Sequence, residues 1–227
     1  DGWDAEERAR MKKAEDESRR TGKKVHVSID ENKCRGLYQF QDGTLFWESK
    51  MALCTDGARR KEAGGDAAHR SDTSHRFSPS KEAVDAELVP YVVVPTYDDP
   101  EKAKTRRDFA GSKQSFVKDF RLEHGNLGVV MFEGRRAGVI FADEGPARKI
   151  GETSIRVHEL IRKSPHPWQD NERKKLEDSG VDNGVLYFIF PGTKIDINQF
   201  GPALEAQRQL AKEIEKRALS EFDKRFP

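Results

Sequence analysis

The chain has 227 residues, enough for one compact domain with extensions or for two small ones. Charged residues make up 36% and the hydrophobic set only 35%, so the expected core is small for the length, with solvated extensions attached. Lysine plus arginine total 41 against 40 acids, a net charge of +1 that removes the main reason to propose a nucleic-acid partner. No apolar run approaches the roughly 18 residues of a membrane span.

The chain opens on Asp1-Gly2-Trp3 with no visible signal peptide, which suggests a mature or excised fragment of a longer protein. Residues 4–20 are strong helix formers with almost no large apolar side chain, so residues 1–23 read as a charged helical lead-in or linker. Residues 24–227 read as the folded domain. Val25, Val27 and Ile29 alternate, a strand signal. Short strands are expected at Leu37–Phe40 and Thr44–Glu48, joined by a Gln41-Asp42-Gly43 turn because Asp-Gly readily takes positive φ. Residues 56–82 are polar and long enough to be a functional loop or a disordered one.

The β-branched run Leu88-Val89-Pro90-Tyr91-Val92-Val93-Val94-Pro95 predicts a strand buried on both faces. A charged loop, 98–107, precedes strands at Leu127–Phe132 and Ala137–Ala142, with a turn at 133–136. Thr153–Lys163 reads as a short helix stopped by Ser164-Pro165, and Gly184–Phe190 as another buried strand. Leu204, Leu210, Ile214, Ala218 and Phe222 recur at helical spacing, so Pro202–Phe222 is expected to dock on the sheet. Short strands with late helices give an α+β class, mainly β, with a barrel core.

No phosphate-binding glycine loop, dinucleotide fingerprint or nucleophile elbow is present. His158-Glu159 lacks the second histidine of a zinc helix, and His158 reads as a packed or capping residue. His69 and His75 share a polar loop and are the only pair worth weighing as metal ligands. No metal and no cofactor are expected. Cys34 and Cys54 form no C-x-x-C, and on spacing alone either two thiols or one disulfide fits. Carboxylate chemistry remains. An apolar strand ends in Asp143, and nine positions on, Glu152 stands at the mouth of the short helix. A rigid strand is a good mount for a general acid or base, although Asp143 also suits a turn and Glu152 a helix N-terminus.

The stretch Ala142-Asp143-Glu144-Gly145, then Gly151-Glu152-Thr153-Ser154-Ile155, resembles the fungal chitosanases of glycoside hydrolase family 75. Their strand ends in G-D-x, followed by a short loop and G-E-A-S-I-S-L. Asp85-Ala86 with Pro90-Tyr91-Val92-Val93, the run Asn183–Phe190, and Met51–Gly57 resemble further segments of that family in the same order, over roughly residues 33–215. The resemblance implies an endo-acting glycosidase that cleaves a β-1,4-linked amino-sugar polymer with inversion. Asp143 and Glu152 would be the catalytic pair, and Asp56, Glu144, Thr153 and Tyr91 would contact substrate. It also implies a Cys34–Cys54 disulfide and a secreted, periplasmic or extracellular location. Ala52 and Cys54 stand where the family has aspartates, and Arg148 and Lys149 follow Asp143. Both departures favour an alternative glycan, peptidoglycan, cleaved by the toxic domain of a secreted bacterial effector. A non-catalytic carbohydrate-binding domain of the same fold is the third reading. Asp143-Glu144-Gly145-Pro146 followed by Ile155 is also similar to the turn of double-psi β-barrels in cell-wall lytic proteins, which makes the expected core double-psi-like.

Overall fold

The computed structural model describes residues 34–60, 69–95, 116–145, 150–162 and 180–227. The lead-in and its boundary at residue 23, the alternation at 25–29 and the 98–107 loop lie outside these residues.

Among the described residues, seven strands carry the fold: β1 (Cys34–Gln39), β2 (Leu45–Cys54), β3 (Tyr91–Pro95), β4 (Leu127–Phe132), β5 (Arg135–Gly145), β6 (Glu152–Ser154) and β7 (Val181–Ile189). The described helices are α1 (Phe116–Asp119), α2 (Ile155–Ile161) and α3 (Leu204–Arg225). Strand order runs β2-β6-β3-β5-β4-β7 and returns to β2, which closes a six-stranded barrel; among the described residues β1 pairs with β2 alone. The protein is therefore a mixed α/β domain built mainly of strands. Closure removes the open edges that a sheet of this size would otherwise present.

Alternation along the strands sorts the apolar side chains into two clusters. Leu45, Trp47, Met51, Val92, Val94, Val130, Val139, Phe141, Val185, Tyr187 and Ile189 fill the barrel. The opposite face carries Cys54, Tyr91, Val93, Leu127, Val129, Ile140 and Phe188, and α3 covers part of it with Leu210, Ile214 and Ala218. The helix comes close enough that a Cβ on Gly138 would lie 2.7 Å from the Glu215 Cα, so β5 needs a glycine there. Every residue of β3 is buried, as its unbroken apolar run predicts.

Several boundaries differ from the sequence reading. Thr153 and Ser154 leave the expected helix and join Glu152 in β6, because these residues find partners in both β2 and β3. The C-terminal helix starts at Leu204, which is 46% exposed instead of docked. The Asp42-Gly43 turn forms as expected, with Gly43 at φ +87° and Asp42 Oδ1 accepting from Thr44 N at 2.9 Å.

Inside the barrel the Trp47 and Tyr187 rings stack at 5.0 Å with 5° between planes, and neither is solvent-exposed. Replacing Trp47 by Ala empties the largest side chain of the barrel and should cost roughly 3–5 kcal/mol. Denaturant titration should show the midpoint falling with little change in slope.

Candidate active site

The barrel register brings two acids into one row. Val92 pairs with Phe141 but Val93 pairs with Asp143, so Ala142 is an extra residue on β5. Such a bulge re-aims the side chains that follow it. The Ala142 carbonyl leaves the ladder and accepts from His75 N at 2.9 Å. Asp143 thereby joins Val93 on the outer face of the barrel. On the other side of β3, Val93 pairs with Glu152. Two strand spacings separate the backbones of Asp143 and Glu152, about 10 Å. Gly151 precedes Glu152 at φ +83°, where a Cβ would stand 2.3 Å from the Lys50 carbonyl oxygen. Only glycine lets β6 enter here beside β2.

A third acid and a thiol complete the cluster. Ala52 pairs with Glu152 in the parallel β2–β6 ladder, so Cys54, two residues on, shares its face. Asp56 lies just past the end of β2, its Oδ1 accepting from Arg70 N at 2.7 Å. Ligand-type atoms of Cys54, Asp56 and Asp143 all lie within 4.8 Å of one another.

Burial dominates the electrostatics and raises every acid of the group. It pushes Glu152 up to about 7, with a hydrogen bond from Cys54 opposing and the charges of Asp56 and Asp143 adding. Asp56 rises to about 6, also mainly by burial. Asp143 is raised by burial too, but hydrogen bonds from Ser74 and from the Glu144 N–H pull it back. Ser74 N and Ser74 Oγ each donate to Asp143 Oδ1 at 2.8 Å. The arrangement therefore separates two carboxyl environments. Glu152 is poised to hold a proton near neutral pH, whereas Asp143 is furnished with donors that favour the anion.

The structure brings Asp56, Asp143 and Glu152 together. Glu144 stands beside them but turns to His124, with Oε1 3.0 Å from Nε2. Two expected substrate contacts are corrected. Thr153 is fully buried because it pairs with Val92, whose side chain fills the barrel. Tyr91 is equally buried, and its hydroxyl donates to the Asp56 carbonyl oxygen at 2.8 Å, so it supports the site from beneath. The expected disulfide is also corrected. Cys34 pairs with Ser49, five residues from Cys54 along β2, or about 16 Å, far beyond disulfide reach. Cys54 is a buried free thiol.

His69 and His75 do not meet as a metal pair. His69 Nδ1 lies 3.0 Å from the Thr55 carbonyl, and His75 stacks on His124 at 5.3 Å. Burial, together with His124, lowers His75 to about 4 and keeps it neutral. His158 is a packed residue, as expected, its Nε2 3.2 Å from the Ala52 carbonyl. Among the described residues, Cys54, Asp56 and Asp143 are the group with the spacing to hold a cation. Burial raises the Cys54 thiol well above its ordinary range, which disfavours the thiolate that a metal would want. Ser74 went unseen in the sequence because a lone serine in a polar loop carries no periodic signal.

No family model matches the chain, and no curated protein matches it.

The raised Glu152 makes a stability prediction. Its folded pKa, about 7, lies above its ordinary 4.5, so the stabilisation is full below about 4.5 and is lost as pH rises through 7. Glu152→Gln cannot ionise and should be more stable than the parent at pH 8, by up to a few kcal/mol, and nearly equal to it at pH 4.5. Thermal melts across that range check both arms.

Proposed function

We propose that the protein is a glycoside hydrolase that cleaves a β-1,4-linked amino-sugar polymer, chitosan-like, by inversion, in a secreted or periplasmic setting. The observation that carries this reading is the row Asp143–Val93–Glu152 on the outer face of the barrel, with a proton-holding carboxyl at one end and a donor-supported one at the other. Inverting enzymes need two carboxyl groups roughly 6.5–9.5 Å apart, wide enough for a water beside the sugar. A backbone separation of about 10 Å is compatible with that span. The resemblance of these two segments to the family 75 chitosanases supports the same pair. The parallel pairings β2–β6 and β3–β5 within a closed barrel support the double-psi topology.

In this mechanism Glu152 is the general acid. Its proton passes to the glycosidic oxygen as the bond to the anomeric carbon breaks. Asp143 is the general base and takes a proton from the water that attacks that carbon from the opposite face. The leaving sugar departs as an alcohol, and the new hemiacetal has inverted configuration. Glu152 is left ionised and Asp143 protonated, and exchange with solvent restores both. Asp56 lies on the same face and contacts the sugar or its water. The hydrogen bonds from Ser74 keep Asp143 the stronger anion of the pair.

Glu152 must be protonated and Asp143 ionised at once, so the pH profile should be bell-shaped with its alkaline limb near 7. Product release from chitosan and, in parallel, from peptidoglycan tests the proposal. Asp143→Asn and Glu152→Gln should each lower kcat by about 100-fold or more with the fold retained. A variant that keeps most of its activity removes that residue from the machinery. Fragments from peptidoglycan alone would keep the acid pair and move the substrate to the cell wall. Turnover of neither by a folded chain would favour a carbohydrate-binding domain.

A further inference from the structure

Residues 69–76 touch both ends of the acid cluster. At one end Arg70 N donates to Asp56 Oδ1 at 2.7 Å, and Gly57 N donates to the Arg70 carbonyl at 2.9 Å. At the other end Ser74 N and Ser74 Oγ both donate to Asp143 Oδ1 at 2.8 Å. His75 N adds a bond to the Ala142 carbonyl at 2.9 Å. One short segment therefore straps Asp56 to Asp143. Two donors from a single residue meet a single oxygen, so a small shift of the Ser74 backbone weakens both bonds together. Glu144 N donates to Ser74 Oγ at 3.1 Å, which occupies a lone pair of that hydroxyl and leaves its proton for Asp143.

The residue before Ser74 fixes its setting. Thr73 is 1% exposed, and its hydroxyl is engaged with backbone on both sides. Thr73 Oγ1 donates to the His75 carbonyl at 2.7 Å, which brackets Ser74 between them. The same oxygen accepts from Val84 N at 3.1 Å, which ties the strap to the stretch leading into β3. The Thr73 carbonyl accepts from Arg76 Nε at 3.0 Å. On its other side the Thr73 methyl lies against Gly57, where an added Cβ would stand 3.1 Å away, so the strap also rests on the turn that follows Asp56. A β-branched side chain restricts its own rotation about χ1, which suits a residue that must hold two bonds in fixed directions.

We propose that Thr73 is a positioning residue acting through Ser74: its hydroxyl holds the strap in the setting from which both Ser74 donors reach Asp143. The proposal rests on the reading of Asp143 as general base. Donors aimed at the carboxylate favour its ionised form, so a slackened strap returns Asp143 towards the protonated form that burial prefers. Glu152 lies beyond Val93 and is not held by the strap. A threonine that served the fold alone would affect the melting temperature and leave the titration of Asp143 where it is.

The test compares Thr73→Val, which keeps the shape and drops the hydroxyl, with Thr73→Ser, which keeps the hydroxyl and drops the methyl. One readout is the pH titration of the Asp143 carboxyl carbon by NMR, in protein without substrate. The other is the acid limb of the kcat/KM profile on the polymer that the parent cleaves. Thr73→Val should move both midpoints up by about one pH unit and leave the alkaline limb in place. Thr73→Ser should keep both midpoints at the parent value. An unchanged Asp143 titration in folded Thr73→Val overturns the proposal, and so does a serine variant that behaves like the valine one. If Thr73→Val does not fold, amide hydrogen exchange in the parent decides. The N–H groups of Ser74 and Val84 share the Thr73 anchor and should open together, with one free energy. Ser74 exchanging far faster than Val84 would overturn the proposal. The carbon titration needs no turnover, so it judges Thr73 even if Asp143→Asn proves fully active and the catalytic reading fails.

Discussion

The site depends on one short strand, β3, which lies between the two strands that carry the acids. Its five residues are buried on both faces, and it pairs with β5 in parallel and with β6 antiparallel. Val93 is the hinge of the arrangement, with Asp143 on one side and Glu152 on the other. The Ala142 bulge is what makes the row possible. Without the extra residue, Asp143 would alternate inward towards the Phe141 side of the strand, where a carboxylate has no partner. With it, the Ala142 carbonyl is met by His75 N and Asp143 by the neighbouring Ser74, so one loop turn satisfies both consequences of the bulge.

That geometry sets a conflict between stability and chemistry. Asp56, Asp143 and Glu152 are drawn together on a partly buried face; burial raises all three, and the charge of a neighbouring acid adds to each, Asp143 acting on Asp56 and Glu152, and Glu144 on Asp143. Folding tolerates the cluster because its members are not equivalent. Asp143 has the two Ser74 donors, and Asp56 has the Arg70 N–H. Unequal support is also what separates an acid from a base when two carboxyl groups share one site. The structure thus keeps a destabilising group of charges and differentiates it by hydrogen bonds of different strength.

Much of the frame could be read in the residues, and little of the fine placement. The β-branched run at 91–95, the Asp42-Gly43 turn and the spacing of Leu210, Ile214 and Ala218 each carry a local physical signal, and each forms as that signal predicts. The pairing of β6 was not legible, since three residues have no periodicity and their strand character comes from partners about 100 and 60 positions away. Thr153 and Tyr91 owe their expected substrate contacts to the resemblance alone: the 91–95 run itself predicts burial on both faces, and Thr153 is buried by its pairing with Val92. Cys34 and Cys54 were paired by resemblance, but sequence spacing holds no distance, and the β1–β2 register sets them far apart. Ser74 gained its role from a contact 69 positions distant in the chain.

The stereochemistry of cleavage tests the central claim most directly, because it reports the spacing of the two carboxyl groups in the working enzyme. Proton NMR of the first products from a β-linked amino-sugar oligomer, recorded before mutarotation, reads the anomeric configuration. Asp143 and Glu152, two strands apart with water between, predict that the α-anomer appears first. Initial release of the β-anomer would mean a nucleophile in contact with the sugar, contradicting the roles given to this pair.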